Sequence, residues 1–128
     1  MKKKFSLSWE GSKQRRKQRK YLANAPLHIQ RRLISSHLSK TLKEKYNRRS
    51  LGLKKGDVVK IIRGIFKGKT GKVERINLKE KKIYVTNIHI FKKDGTKTFY
   101  PIHPSNLIIQ ELNLDDKKRQ KVLDRKKK

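Results

Sequence analysis

Apolar residues recur along this chain at two different spacings, and the change of spacing divides it. Between residues 26 and 50, Leu27, Ile29, Leu33 and Ile34 are interleaved with Gln30, Arg31 and Arg32. Leu38, Leu42 and Tyr46 then recur at every fourth position. That spacing returns a side chain to one helical face, so two short helices are predicted, about 26–34 and 39–47. Pro26 suits a first helical turn, with Asn24 or Ala25 just outside it. Ser35-Ser36 reads as a break. Thr41 and Glu44 have the spacing of a capping box, although it would start inside the stripe. The stripe reads as a docking face onto the segment that follows. A free membrane-surface helix would need a longer apolar face.

From Leu53 to Leu112 the pattern shortens to β-type runs. Candidate strands are 57–63, 71–77, 82–86, 88–92, 97–100 and 107–112. They are separated by Gly64, Gly68, Asp94-Gly95 and the segment Pro101 to Ser105. Asp-Gly between two such runs is a strong hairpin signal. Several short strands in so short a span predict a small barrel with a modest core. After Leu114 the pattern leaves two readings open, a short helix through Val122 and Leu123 or a frayed basic tail. The expected organisation is a basic arm at 1–25, disordered when free, short helices at 26–50, a β barrel at 51–114, and a basic C-terminal tail at 115–128.

Charge sharpens this picture. The chain of 128 residues has 38 Lys+Arg against 10 Asp+Glu, a formal net charge of +28. Packing such an excess into one small domain is self-repulsive, and a polyanion relieves the repulsion. Residues 1–50 alone hold 16 Lys+Arg and 2 acids. The run Lys13-Gln14-Arg15-Arg16-Lys17-Gln18-Arg19-Lys20 has no apolar residue and cannot bury itself. These features point to nucleic acid as the partner. No apolar run approaches the roughly 20 residues of a membrane span, so no membrane partner is expected. The basic N-terminus lacks the apolar stretch of a secretory signal, and its lysine-rich continuation to Lys20 is unlike a mitochondrial presequence.

The chemistry-bearing residues give little support to catalysis. With no cysteine, thiol catalysis, disulfides and cysteine-ligated zinc are excluded. His28, His37, His89 and His103 lack zinc-ligand spacing, and no carboxylate pair stands out. Gly64-Ile65-Phe66-Lys67-Gly68-Lys69-Thr70 approaches a nucleotide-binding loop. It has three residues between its glycines where that motif needs four, and a strand-like run follows where a helix should. The expectation is therefore no enzyme, no cofactor, no metal and no small-molecule substrate. Lysines and arginines on arm, loops and tail neutralise phosphates and position the protein on them. Irregular folded RNA suits such contacts, because the deep major groove of an RNA duplex excludes side chains. Trp9, Tyr21, Phe66 and Phe91 are candidates for stacking on bases, with core capping by Phe66 and Phe91 the equal alternative.

Two layers of resemblance add to this reading. Gly56-Asp57-Val58-Val59-Lys60 through Phe66-Lys67-Gly68-Lys69-Thr70-Gly71-Lys72-Val73 resembles the KOW motif, with Gly71 at its key glycine. That motif is shared with transcription elongation factors. Further blocks narrow the family: Arg16-Lys17-Gln18-Arg19-Lys20, Asn24-Ala25-Pro26-Leu27-His28, His37-Leu38-Ser39-Lys40, Tyr100-Pro101-Ile102-His103-Pro104-Ser105-Asn106 and Leu112-Asn113-Leu114-Asp115-Asp116-Lys117. In this order they resemble the archaeal and eukaryotic form of the KOW-containing large-subunit ribosomal protein family, number twenty-four in universal naming and twenty-six in eukaryotes. Ile65 departs from the pattern, since many relatives carry an acidic or polar residue there.

The resemblance implies a mainly β, SH3-like barrel with an N-terminal helical, basic extension and a short basic C-terminal tail. It also implies a cytoplasmic, ribosomal protein that binds the 5′ domain of large-subunit ribosomal RNA early in assembly, near the peptide exit tunnel, among neighbouring large-subunit proteins. The hairpin from Lys92 to Thr98 matches the segment that lies toward the exit in that family. The RNA-binding residues expected are Arg15, Arg16, Lys17, Arg19 and Lys20 on the arm, Arg31 and Arg32 on the first helix, and Lys67, Lys69 and Lys72 on the barrel loop. The alternative is a KOW-type transcription elongation factor. Those proteins place a separate α/β domain before the KOW module, and the highly charged segment here is too short for one.

Overall fold

The computed structural model describes residues 5–9 and 11–125. The first four residues and Glu10 of the expected arm, and 126–128 of the expected tail, lie outside the described residues.

The first helix among the described residues, α1, spans Arg15–Asn24. The sequence predicts an arm without regular structure when free. Its arginines, lysines and glutamines are nevertheless good helix formers, and that propensity decides the local conformation. The helix buries no residue, so packing adds little to its stability. Tyr21 is its main tertiary handle, with ring centroids 4.8 Å from Phe5 and 5.0 Å from Trp9. Pro26 ends the segment and caps α2, Leu27–Leu33. It sits just before the first turn rather than inside it, and its carbonyl accepts from the N–H groups of Ile29 and Gln30.

Ser35-Ser36 is not a simple break. It opens a short strand, β1, Ser35–Leu38, whose burial alternates so that Ser36 and Leu38 face inward. The strand lies antiparallel to β2, Ser50–Gly52, and parallel to the last strand. Neither β1 nor β2 is visible in the local pattern. Between them runs α3, Lys40–Tyr46, capped by Ser39, whose Oγ accepts from the Leu42 N–H at 3.4 Å. The cap is thus Ser39, not Thr41, because Leu38 already belongs to the strand.

The remaining strands fall close to their expected places: β3 Val58–Ile61, β4 Thr70–Asn77, β5 Lys82–Val85, β6 His89–Phe91, β7 Lys97–Phe99 and β8 Leu107–Glu111. The β6–β7 hairpin turns at Asp94-Gly95, where the Asp94 carboxylate accepts from the Thr96 N–H and hydroxyl. The other six form one sheet in the order β2-β1-β8-β3-β4-β5. The domain is the small β-core with a helical extension that the sequence implied. Its ladders stop at β2 and β5 and do not close into a barrel, although a bridge between Ile83 and Ile102 folds the β5 edge back on the chain.

One apolar cluster forms the core among the described residues. Val59, Val85, Ile83 and Ile109 are fully buried within it. Burying each such side chain is worth roughly 1.5–3 kcal/mol. Gly71 matters here for space. A Cβ at this position would stand 2.7 Å from the Thr86 carbonyl oxygen and 2.7 Å from Val85 Cγ1. The C-terminal segment joins the same core through a further helix, α4, Lys117–Asp124, which buries Leu123 and Arg119. Of the two readings left open for this segment, the helix is the one formed, and Leu123 is what keeps it from fraying.

Candidate nucleic-acid interface

All ten candidate cations are exposed, and the fold distributes them over three surfaces. Five lie on α1. Arg31 and Arg32 occupy the last turn of α2, where cations complement the helix dipole. Lys67 and Lys69 lie on the β3–β4 connection. Lys72 belongs to β4 itself, opposite Val58, rather than to the loop. Its own N–H donates to Thr86 Oγ1 at 3.0 Å.

The connection is held from within. Gly68 N–H donates to the Ile61 carbonyl at 2.8 Å and Ile61 N–H to the Lys69 carbonyl at 2.9 Å. Gly64 and Gly68 have φ of 99° and 88°, which glycine adopts without penalty. Phe66 folds back onto the core and meets Tyr100 at 5.1 Å, while Lys69 Nζ lies 5.2 Å from the Phe66 ring. Phe66 therefore serves as a core cap. Phe91 does not, since it is 68% exposed, as is Ile65 at 84%. Trp9 and Tyr21 pack against one another beside Lys17 and Lys20 around a shallow hollow.

The cations do not converge on one patch. Arg31 and Arg32 line a groove of ≈ 690 Å³ between α2, β2 and α4. Arg48, Lys118 and Arg125 line the same groove, and sequence reasoning missed them. Only tertiary folding brings them beside α2, so no spacing along the chain could have shown it.

Beneath the groove lies a buried ion pair that also escaped sequence reasoning. Asp57 is completely buried, and its carboxylate accepts both terminal nitrogens of Arg119 at 2.6 Å. The same carboxylate accepts the backbone N–H groups of Lys54 at 2.9 Å and Asn113 at 2.8 Å. Arg119 also donates to the carbonyls of Asn113 and Gly52. A second, more exposed pair joins Lys54 to Asp116. Hydrogen bonds from Lys54 and from the Lys118 N–H hold the Asp116 carboxyl below its ordinary range. The two pairs fasten α4 to the strand region.

His103 caps a 3-10 turn at Pro104–Asn106 by accepting from the Ser105 N–H through Nδ1. Partial burial, then the charges of Lys82 and Lys81, lower its pKa below the ordinary histidine value. The imidazole is thus a structural acceptor. Among the described residues, no group of three His, Asp or Glu could hold a metal ion, and no helix is long and apolar enough to cross a membrane.

The geometry defines a class of protein: a small β domain with helical extensions and cations displayed on several sides. Over residues 12–126 the chain matches the family of ribosomal proteins described as L26 in eukaryotes and as the L24 type in archaea, and it belongs to that family. It is also similar to the large ribosomal subunit protein uL24 of Methanosphaera stadtmanae, with 51% identity over 115 residues that span 90% of this chain and 98% of the relative. This is a family of ribosomal proteins, a structural rather than a catalytic class.

Proposed function

We propose that this protein is a structural constituent of the large ribosomal subunit. In this reading it binds the 5′ domain of large-subunit ribosomal RNA early in assembly, near the peptide exit tunnel, and works in the cytoplasm among neighbouring large-subunit proteins. The observation that carries the reading is the exposure of all ten candidate cations around a core whose own charges are paired. Exposed cations are the ones available to exchange counterions for phosphates. The similarity to a relative named as a large-subunit protein supports the choice of subunit.

Co-sedimentation tests the assignment. The tagged protein is expected in large subunits and their precursors on sucrose gradients, resistant to moderate salt. Recovery with RNA polymerase, and absence from large subunits, would replace this reading with the elongation-factor one. Binding of the purified chain to the isolated 5′ domain, against an unrelated RNA of equal length, tests the RNA target separately.

A further inference from the structure

The groove between α2, β2 and α4 is the strongest unassigned feature of the surface. Seven basic side chains and a single carboxylate, Asp116, line it. That carboxylate is already engaged by Lys54. Three of the seven cations have internal duties. Arg119 holds Asp57, Lys54 holds Asp116, and Arg48 donates to the Val122 carbonyl at 2.9 Å. The other four are Arg31 and Arg32 on one wall and Lys118 and Arg125 on the other. They are exposed, and among the described residues no side-chain hydrogen bond or ion pair engages them.

A cleft lined by one sign of charge focuses its potential into the cleft and raises the local concentration of counter-charged ligand. Facing walls of unpaired cations repel one another until an anion lies between them. Four free cations spread over two elements offer more positive charge than one small ion would neutralise, and a chain with a charge at every unit suits them. We propose that this groove holds a segment of RNA phosphodiester backbone, gripped by Arg31 and Arg32 from one side and by Lys118 and Arg125 from the other. The proposal rests on the RNA-binding reading above and makes the α2 surface part of a third contact region, distinct from the arm and from the β3–β4 connection. Half of it is supplied by the C-terminal helix. It also gives the Asp57–Arg119 pair a purpose, since that pair holds α4, and with it one side of the groove, in place.

The test compares the full chain with a variant carrying Arg31→Gln, Arg32→Gln, Lys118→Gln and Arg125→Gln. Binding to large-subunit ribosomal RNA is measured at several salt concentrations. Loss of four phosphate contacts should lower the slope of log affinity against log salt by about 3. A wild-type protein that binds with a steep slope, and a folded variant that keeps it, overturn the groove while leaving the RNA reading intact. A wild-type protein with no salt-dependent affinity overturns the RNA reading and the groove with it. Polyglutamate serves as a rival probe. Its binding lost in the variant, with the RNA slope unchanged, assigns the groove to an acidic protein segment instead. Should the variant fold poorly, ultraviolet cross-linking of the wild-type complex decides. Cross-linked peptides containing residues 31–35 and 117–125 are expected, and cross-links confined to the arm and the β3–β4 connection overturn the proposal.

Discussion

Replacing Arg119 with methionine should cost this domain a large part of its stability. The substitution keeps much of the aliphatic bulk and removes the guanidinium. Asp57 then remains a fully buried carboxylate with only the Lys54 and Asn113 backbone donors, and two carbonyls lose a donor. Breaking one side of such a pair costs about 3–5 kcal/mol, because the surviving charge stays buried. Domains of this kind have about 5–15 kcal/mol in total. At the scale expected for a chain of this length, the melting temperature should fall by roughly 10–20 °C. Urea unfolding followed by circular dichroism gives the free energy, and hydrogen exchange of the α4 amides tells local release from global loss. A second substitution, Asp57→Asn, removes the stranded charge. The double variant should therefore lose less than the sum of the singles, with a coupling of about 2 kcal/mol. A single-variant loss below about 1 kcal/mol, or strict additivity, would refute the argument that charge burial dominates at this position.

Three further outcomes are expected. Removing residues 1–20 should weaken binding to large-subunit ribosomal RNA and flatten its salt dependence, and an unchanged slope excludes the arm as a phosphate contact. Gly71→Ala should destabilise by about 1–3 kcal/mol, because its Cβ meets the Thr86 carbonyl and Val85. A Gly71 variant that melts at the wild-type temperature would disprove this packing role. The lowered pKa of His103 means that the folded state favours neutral imidazole. Its contribution is present above the ordinary histidine value and lost as pH falls through the lowered one. His103→Gln should therefore retain more of its neutral-pH stability at pH ~5 than wild type does, and parallel losses would exclude His103 as the cause.

The β runs from Val58 to Glu111 were legible because each carries its own alternation and turn residues. So were α2 and α3, whose apolar positions recur at helical spacing. The strands β1 and β2 were not. Ser35-Ser36-His37-Leu38 has weak strand propensity, and it is held by a partner far along the chain, Ile108 and Ile109. The ion pair was hidden for the same reason, since Asp57 and Arg119 meet only after the whole sheet is built. The cationic character of the surface was plain from composition. Its division into separate regions was not, because charge counted along a chain says nothing about which elements will face each other.

The parallel pairing of β1 with β8 has a consequence for the newborn protein. In a chain made from its N-terminus, β1, α3 and β2 emerge long before β8, and β8 is the strand that lies between β1 and β3. Until residues 107–111 emerge, the sheet is two unjoined pieces with an open edge on each, and an open edge is a template for wrong partners. Contacts so distant along the chain also slow folding. Asp57 stays unpaired through this interval and gains Arg119 only when α4 follows. Residues 117–124, made after all eight strands, are therefore the ones that fasten the domain, and chains that stop short of them should be handled by the cell as unfolded rather than as smaller versions of the same protein.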